Sequence, residues 1–404
     1  MKKKIHTIND FDIENKRILV RIDINVPMDL NGNILDDIRI KSYVPTLESL
    51  KNAKIVLLAH QSRPGKCDFT TMKSHAERIT KYIGRKVQYI DDIFGSHAIK
   101  KIQSMKKGDV LLLENVRFYS EESLKRSGKE HANTHMVQSL APLFDLYLND
   151  AFAVSHRSQL SILGFPEVIP CGMGKLMERE IIALDKGMSG KEHPCIFVIG
   201  GIKIDDSLNV VENVLMNGYA DKILFTGVVG NVVLKAAGFE IGTVNLDFIK
   251  SQGYIKEIER AKTIIDRFED KIEMPIDVAL NDNGARIDVD LSTIKKDCLP
   301  INDIGLETIV SFSNEIKKSK TVILNGPAGV FELEPFSLGT HEIIKAATHS
   351  EFSIVGGGHI SAEVRRMNFE DKFFHVSTGG GACISYLAGE KLVGIESLRR
   401  DTNI

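Results

Sequence analysis

Short runs of apolar, mostly β-branched residues recur along the whole chain and are separated by longer segments of mixed polarity. Uninterrupted apolar runs of this length are typical of strands that are buried on both faces of a sheet. We predict strands at Arg17–Asp23, Lys54–Ala59, Val110–Glu114, Asp145–Asn149, Cys195–Gly200, Lys222–Thr226, Pro275–Leu280, Thr321–Asn325, Phe352–Val355 and Phe373–Val376.

Most of the intervening segments have helical length and a helical spacing of apolar residues. We predict helices at Ser42–Asn52, Thr71–Ile83, Lys129–Leu143, Ser207–Asn217 and His341–His349. Strands that alternate with helices indicate parallel sheets built from right-handed crossover connections. The pattern therefore predicts an α/β fold with parallel sheets.

The length of 404 residues favours two domains. Proline and glycine cluster in residues 164–174, just before a helical run at 176–187, so we place the boundary between residues 170 and 171 and expect that helix to link the domains. Residues 281–298 combine an Asn-Gly pair with alternating polarity, which indicates a hairpin-like insertion in the second domain.

Composition excludes several functional classes. The chain has 52 Lys plus Arg against 54 Asp plus Glu, so no basic excess favours nucleic-acid binding. Its five cysteines are scattered without a CxxC pair, which argues against a disulfide framework or a zinc site. The longest apolar stretch, 223–234, contains polar and glycine interruptions and is too short to span a membrane. We expect a cytoplasmic protein.

The predicted strands of the two halves end in different residue types. In open α/β sheets, ligands bind beyond the carboxyl ends of the strands. First-half strands are followed by charged and hydrogen-bonding residues: Asp23, Asn25, His60, Arg63, Glu114, Asn115, Arg117, Asn149, Asp150, His156 and Arg157. Second-half strands are followed by glycine-rich turns: Gly200-Gly201-Ile202-Lys203, Thr226-Gly227, Asn325-Gly326-Pro327, Gly356-Gly357-Gly358 and Ser377-Thr378-Gly379-Gly380-Gly381.

These two sets of residues predict two different ligands. Converging arginines provide planar, permanently charged donors that suit the phosphate and carboxylate groups of a small polyanion. Glycine-rich strand-to-helix turns let backbone N–H groups approach the phosphates of a nucleotide. The combination indicates phosphoryl transfer. The chain lacks both GxxxxGK[ST] and a GxGxxG after a strand, which disfavours a P-loop enzyme and a dinucleotide-dependent dehydrogenase.

Each residue also has a structural interpretation. A single arginine such as Arg63 is most often a solvated surface charge, and His60 or His156 could be satisfied structural histidines. A single Gly-Gly pair such as Gly200-Gly201 is often only a turn. The functional interpretation depends on the number of such residues at one sheet edge.

Several motifs, in their order along the chain, resemble those of the phosphoglycerate kinase family over nearly the whole chain. The motifs are Arg21-Ile22-Asp23-Ile24-Asn25-Val26-Pro27, Asp36-Asp37-Ile38-Arg39-Ile40, Leu112-Leu113-Glu114-Asn115-Val116-Arg117-Phe118, Asn149-Asp150-Ala151-Phe152, His156-Arg157, Gly200-Gly201-Ile202-Lys203, Asn325-Gly326-Pro327-Ala328-Gly329-Val330-Phe331-Glu332 and Ser377-Thr378-Gly379-Gly380-Gly381-Ala382. The resemblance implies two Rossmann-like three-layer domains with parallel sheets, a linking helix, and a cleft between the domains.

The resemblance also implies a reaction, reversible phosphoryl transfer between 1,3-bisphosphoglycerate and ADP that gives 3-phosphoglycerate and ATP. Residues 1–170 would bind phosphoglycerate, with residues 390–404 folding back on them, and residues 171–389 would bind the Mg²⁺ nucleotide. The implied phosphoglycerate ligands are Asp23, Asn25, Arg39, His60, Arg63, Arg117 and Arg157. The implied nucleotide ligands are Gly200, Gly201, Lys203, Asn325, Glu332, Gly356, Gly357, Gly358, His359, Ser377 and Thr378.

By the same resemblance, Arg39, Lys203 and the backbone amides of Gly357 and Gly380 would stabilise the transferring group. The acceptor is a carboxylate that is already ionised at neutral pH, so no general base is needed.

Some positions depart from the pattern of bacterial and eukaryotic members. Ser207 replaces a second lysine, and His359 replaces the aspartate that usually ligates magnesium, which leaves the metal ligand unknown and suggests an archaeal-type member. These departures keep open an alternative, a catalytically silent protein that binds nucleotide or phosphoglycerate. We expect small-molecule partners only, with no nucleic acid or membrane, and either a monomer or a homodimer.

Overall fold

A computed structural model describes residues 4–189 and 192–399. The chain divides into two compact units, Met1–Ile181 with Lys391–Ile404 (unit 1) and Ile182–Glu390 (unit 2). The strands are β1 Arg17–Arg21, β2 Lys54–Leu58, β3 Val87–Tyr89, β4 Val110–Leu112, β5 Leu146–Asn149, β6 Cys171–Met173, β7 Cys195–Ile199, β8 Lys222–Phe225, β9 Ile272–Glu273, β10 Asp277–Asp282, β11 Ala285–Asp290, β12 Ile301–Ile304, β13 Thr321–Asn325, β14 Phe352–Gly356 and β15 His375–Val376.

The α-helices lie between these strands. They are α1 Ile38–Lys41, α2 Val44–Ser49, α3 Lys73–Ile83, α4 Ser96–Gln103, α5 Gly128–Ala132, α6 His135–Leu140, α7 Leu160–Leu163, α8 Lys175–Gly187, α9 Ile204–Met216, α10 Gly227–Ala236, α11 Thr243–Ser251, α12 Glu257–Phe268, α13 Leu306–Lys318, α14 Leu338–Ala347, α15 Gly358–Arg366, α16 Gly380–Leu387 and α17 Val393–Glu396. The helix predicted as one element at Lys129–Leu143 is two, because the chain leaves helical geometry at Asn133–Thr134.

Unit 1 is built on a six-stranded sheet in the order β3-β4-β2-β1-β5-β6, and every pair of neighbours is parallel. The central strands carry apolar side chains toward both faces, as parallel sheets covered by helices require. Val20 and Leu57 lie in one buried cluster with Leu47 of α2 and Ile79 of α3. This core fixes the carboxyl ends of the strands along one edge of the sheet.

Unit 2 contains a second six-stranded parallel sheet, in the order β15-β14-β13-β7-β8-β9. Ile196 of β7 and Val322 of β13 pack with Phe312 of α13 and Ile343 of α14. The two parallel sheets with covering helices confirm the predicted α/β class.

A separate three-stranded sheet, β11-β10-β12, corrects one prediction in unit 2. The segment Pro275–Leu280 was expected among the parallel strands, but β10 pairs antiparallel with both of its neighbours. No crossover helix separates β10 from β11; they are joined by Asn283 and Gly284, both with positive φ. A two-residue connection of this kind permits only an antiparallel hairpin. The hairpin itself was predicted.

The boundary between the units falls within α8, later in the chain than the predicted position after residue 170. The amino end of α8 is tied to unit 1 by Asp150, a fully buried carboxyl group that follows β5. Its oxygens accept hydrogen bonds from Thr46 Oγ1 at 2.6 Å and from the Met177 amide at 2.9 Å. Burial raises the pKa of Asp150 to about 6, although these hydrogen bonds oppose the rise.

The segment at the end of the described chain packs on unit 1. The Gly394 amide donates to Ser155 O at 2.8 Å, and Asn149 Nδ2 donates to Gly394 O at 3.4 Å. Within residues 4–189 and 192–399, no helix has the length and apolar character that crossing a membrane requires.

Candidate functional site

The arginine cluster of unit 1 consists of Arg39, Arg63, Arg117 and Arg157, which follow the carboxyl ends of β1, β2, β4 and β5. The sheet order places these four strands side by side as β4-β2-β1-β5. Because the strands are parallel, their carboxyl ends meet at one edge, which brings together the segments that carry the four arginines.

Asp23 supplies a negative charge in the arginine cluster. It is 1% exposed, and its Oδ2 accepts a hydrogen bond from Arg39 Nη1 at 2.7 Å. Burial alone would raise the pKa of this carboxyl group, but the attraction of Arg39 and Arg21 and the hydrogen bond from the Asn25 amide outweigh burial and lower it. Asp23 is therefore an ionised group that orients Arg39.

The guanidinium groups of the cluster lower the pKa values of one another. Burial, followed by repulsion from Arg157 and Arg21, lowers the pKa of Arg117 to about 10. The pKa of Arg157 is also lowered, first by burial and then, against the attraction of Asp23, by neighbouring arginines that include Arg39 and Arg63. Guanidinium groups held close enough to disfavour one another's charge form a site that an anion would stabilise.

Gln61, which is not among the predicted site residues, holds the loop after β2. Its Nε2 donates to Val26 O at 2.9 Å and its Oε1 accepts from Val26 N at 3.1 Å, joining this loop to the one after β1. The next residue, Ser62, has a positive φ of 54° and donates its amide to Asn25 Oδ1 at 2.8 Å. Asn25, His60 and Arg63 thus lie on two loops fixed to each other.

A second buried layer lies beneath the arginine cluster. Arg21 is fully buried, and its Nε donates to Ser161 Oγ at 2.7 Å. Ser161 in turn donates Oγ–H and N–H to the buried carboxylate of Glu122, at 2.7 and 2.8 Å. Arg21 belongs to a motif found in the sequence, but no local pattern connects Glu122 or Ser161 with that motif.

Unit 2 contains a cavity of about 320 Å³ at the carboxyl edge of its parallel sheet. Glycine-rich turns after β7, β13, β14 and β15 line much of it. Of the residues predicted to bind nucleotide or stabilise the transferring group, the lining includes Gly200, Gly201, Lys203, Asn325, Glu332, Gly357, Gly358, His359 and Gly380. These nine predicted residues come from four separate segments of the sequence.

Three predicted nucleotide ligands, Gly356, Ser377 and Thr378, lie outside this lining. Gly356 is buried where a Cβ atom would lie 2.7 Å from Cys383 Sγ, so its small size is needed for packing. The Ser377 hydroxyl accepts the Gly379 amide at 3.2 Å, which shapes the turn before α16. Gly356 and Ser377 thus support the turns around the cavity.

Close backbone contact explains the glycine at position 326. Gly326 has a φ of 85°, and a Cβ atom there would lie 2.3 Å from Gly200 O. The Gly200 amide donates to Asn325 O at 2.8 Å, so the turns after β7 and β13 touch through their backbones. A side chain at position 326 would force these turns apart.

Four helices begin beside the cavity. The helices α9, α10, α15 and α16 start directly after the turns that end β7, β8, β14 and β15. Helix N-termini present unpaired N–H groups and a partial positive charge. Four of them at one sheet edge, together with Lys203, suit several phosphate groups.

The described lining of the cavity contains few side chains that could coordinate a metal ion. Among the described residues, no group of three or more His, Cys, Asp or Glu side chains could hold a metal. Asp303 lines the cavity, but its oxygens accept from Arg286 Nη1, Gly339 N and Ile304 N at 2.8 to 2.9 Å. His359 is exposed at the start of α15, and Ser207 is a buried part of the lining.

Comparison with known sequences gives one consistent result. A family model described as phosphoglycerate kinase matches residues 8–390. A protein of Methanosarcina acetivorans named phosphoglycerate kinase 2 is 63% identical over 393 residues, which cover 97% of this chain and 94% of the relative. The phosphoglycerate kinase of Methanothermobacter thermautotrophicus is 49% identical and covers 98% of this chain and 97% of its own length.

Solved structures of phosphoglycerate kinases also match nearly the whole chain. The crystal structure of phosphoglycerate kinase from Pyrococcus horikoshii matches with a TM-score of 0.89 and 40% identity, covering 97% of this chain and 98% of that one. The phosphoglycerate kinase of Coxiella burnetii matches with a TM-score of 0.83 and 28% identity, covering 98% and 99%. Both similarities extend over the two sheets and their helices.

Proposed function

The chain belongs to the phosphoglycerate kinase family, and from that premise we propose that its two units divide the substrates between them. As a phosphotransferase of this family, it moves a phosphoryl group reversibly between 1,3-bisphosphoglycerate and ADP, giving 3-phosphoglycerate and ATP. Unit 1 would bind the phosphoglycerate and unit 2 the nucleotide.

The observation that carries the proposal for unit 1 is the mutual repulsion within the arginine cluster. The pKa values of Arg117 and Arg157 are both lowered by burial and by neighbouring guanidinium groups. 3-Phosphoglycerate carries a phosphate and a carboxylate, and these two anionic groups match several arginines better than a monoanion would. Asn25 and His60 would add neutral hydrogen bonds at the same edge.

The proposal for unit 2 rests on the glycine-lined cavity. Its volume of about 320 Å³ is in the range of small-molecule sites, and four helices begin beside it with unpaired backbone N–H groups. Adenine nucleotides need an apolar slot for the base and dense donors for the phosphates. The lining provides both, with Ile384 and Val278 among its apolar members and Gly357 and Gly380 at helix starts.

Positioning and charge neutralisation are the main requirements of this reaction. The acceptor carboxylate of 3-phosphoglycerate is ionised at neutral pH, so no side chain has to remove a proton. The equatorial oxygens of the transferring group carry negative charge in the transition state. Arg39, held by Asp23 at 2.7 Å, and Lys203, in the cavity lining, are the side chains we assign to that charge.

Magnesium would reach the site on the nucleotide. Mg²⁺ usually keeps several waters and binds through phosphates plus one or two carboxylates. In the lining, Asp303 is already engaged and His359 offers an imidazole, which suits magnesium poorly. Glu332 is an exposed carboxylate of the lining that could reach the ion directly or through water. Bound Mg²⁺ would neutralise charge on the nucleotide phosphates.

Steady-state kinetics of two variants test the division of substrates. Arg157→Ala should raise the KM for 3-phosphoglycerate by about 10- to 100-fold, the equivalent of losing one charge-assisted hydrogen bond, and leave the KM for ATP unchanged. Glu332→Ala should raise the KM for ATP and leave that for 3-phosphoglycerate unchanged.

Arg126→Ala is the matched control. Arg126 lies in unit 1 but pairs with Glu121 at 2.8 Å outside the arginine cluster, so both KM values should stay at the wild-type level. Equal effects of Arg157→Ala on both substrates would contradict the assignment of unit 1. An absence of turnover in the wild-type protein, with either ligand still bound, would instead favour a silent binding protein.

A further inference from the structure

Two buried residues of unit 1, Arg21 on β1 and His60 after β2, form a direct hydrogen bond. Arg21 Nη2 lies 3.1 Å from His60 Nδ1, and the two residues are 0% and 1% exposed. A guanidinium group has donors only and stays protonated at any pH that proteins tolerate. His60 Nδ1 must therefore accept this bond with its lone pair, which leaves the ring proton on Nε2.

The guanidinium of Arg21 is held rigidly from three directions. Its Nε donates to Ser161 Oγ at 2.7 Å, and its Nη1 donates to the carbonyl oxygen of Ile22. The carboxylate of Glu122, itself fully buried, lies 4.0 Å from Nη2 as the counter-charge. Arg21 has no exposed surface with which to touch a substrate. Its charge acts on Asp23, Arg117 and Arg157, but among the described residues His60 is the predicted phosphoglycerate ligand that it contacts by a hydrogen bond.

The groups around His60 act in opposite directions on its protonation. Asp23 Oδ1 lies 3.9 Å from His60 Nδ1 and favours the imidazolium, but Asp23 already accepts from Arg39 Nη1 and from the Asn25 amide. Burial opposes protonation most strongly, and Arg21, Arg117 and Arg157 oppose it by repulsion, so the pKa of His60 lies well below its usual range. These groups lie on β1 or follow β1, β4 and β5, and His60 itself follows β2.

We propose that Arg21 is a positioning residue that fixes His60 as the neutral tautomer with its proton on Nε2. Among the described residues, no group forms a hydrogen bond with Nε2, so this N–H is available to a ligand. This inference rests on the proposed function, because the ligand meant is an oxygen of 3-phosphoglycerate bound at the arginine cluster. His60 then recognises the substrate as a neutral donor, and its contribution does not change across neutral pH.

Long-range ¹H–¹⁵N spectra of histidine-labelled protein test the tautomer in the wild type. His60 signals are assigned by their absence from His60→Gln. We expect the pattern of an Nε2–H tautomer and no titration between about pH 5.5 and 8. A pattern of Nδ1–H, or titration in that window, would overturn the proposal.

A double variant tests the role of Arg21. Arg21→Gln combined with Glu122→Gln removes both buried charges, so neither is left unpaired. Glutamine can donate or accept, and it no longer forces the tautomer. We expect a mixed or titrating His60, and a ratio of variant to wild-type KM for 3-phosphoglycerate that changes by about threefold or more between pH 5.5 and 8. Arg17→Gln, at the other end of β1, should give a constant ratio.

Adding 3-phosphoglycerate separates this inference from the proposed function. A shift of the His60 signals with the Nε2–H pattern retained supports both. No shift at saturating 3-phosphoglycerate removes His60 from the substrate site and overturns the proposal that it donates to the ligand. If the double variant fails to fold, the wild-type spectra still decide the tautomer. A ratio of KM values that stays constant with pH in a folded double variant would overturn the role of Arg21.

Discussion

Gly326, in the turn after β13, has both a positive φ and a close backbone neighbour. Replacing it by alanine tests how much the steric contact adds to the cost of the backbone conformation. Gly326 has a φ of 85°, a value that costs an L-residue roughly 1–2 kcal/mol. In addition, the new Cβ atom would lie 2.3 Å from Gly200 O and 2.5 Å from Gly200 C. Both are backbone atoms, so relief requires the turns after β7 and β13 to move apart. Overpacking of this kind costs about 1–3 kcal/mol more.

Gly218 provides the matched control. It lies in the same unit with a φ of 67°, and a Cβ atom there would meet nothing within 4 Å. Gly218→Ala should therefore lower the free energy of unfolding by about 1–2 kcal/mol, and Gly326→Ala by about 2–5 kcal/mol. The chain has no tryptophan, so urea unfolding is best followed by far-UV circular dichroism.

The two variants should differ more in kinetics than in stability. Gly326 is part of the cavity lining and Gly218 is not. A displacement of about 1 Å in a positioning turn can cost about 100-fold in rate, so Gly326→Ala should lose most of its kcat/KM for ATP while Gly218→Ala keeps wild-type values. Equal stabilities and equal kcat/KM values in the two variants would refute the steric reasoning.

Three further outcomes follow from the structure. Arg39→Ala should lower kcat by about 100-fold or more, and a change confined to KM would contradict its role at the transferring group. The pKa of Asp150 is raised to about 6, so in the folded state the carboxyl group takes up its proton before it does so in the unfolded state. Between pH 7 and pH 4.5 the wild type should therefore gain about 2 kcal/mol of unfolding free energy relative to Asp150→Asn, and urea titrations at both pH values that show no gain would exclude the raised pKa. EDTA should abolish turnover without changing the unfolding free energy of the nucleotide-free protein, because the described residues contain no metal-binding group of three; a lower unfolding free energy in EDTA would reveal a resident metal.

The chemistry at the two sheet edges could be predicted from the sequence because strand ends are local features. Asp23, His60 and Arg117 directly follow apolar runs, and a parallel sheet brings such positions to one edge. The order β4-β2-β1-β5, which makes those strands neighbours, depends on packing between distant segments and has no local pattern. The short strands β3, β6 and β9 were missed for a related reason, since two or three residues do not establish a period.

The buried layer beneath the arginine cluster could not be predicted. Arg21 and Ser161 are 140 positions apart, and nothing in either segment indicates a partner. A charged residue inside an apolar run such as β1 does indicate a buried, paired charge, but the sequence leaves the partner open. The triple glycine at 356–358 also has two roles that its sequence does not distinguish. Gly357 and Gly358 line the cavity, whereas Gly356 packs closely against Cys383.

The segment that begins at Lys391 belongs to unit 1, although the ribosome makes it after the whole of unit 2. A ribosome adds about 5 to 20 residues per second, so residues 182–390 take roughly 10 to 40 s to appear after β6 is complete. Throughout that interval Ser155 O lacks the Gly394 amide that it accepts in the finished protein at 2.8 Å. The half of the molecule that is made first is therefore completed last, because its final segment follows the whole of the second unit in the chain.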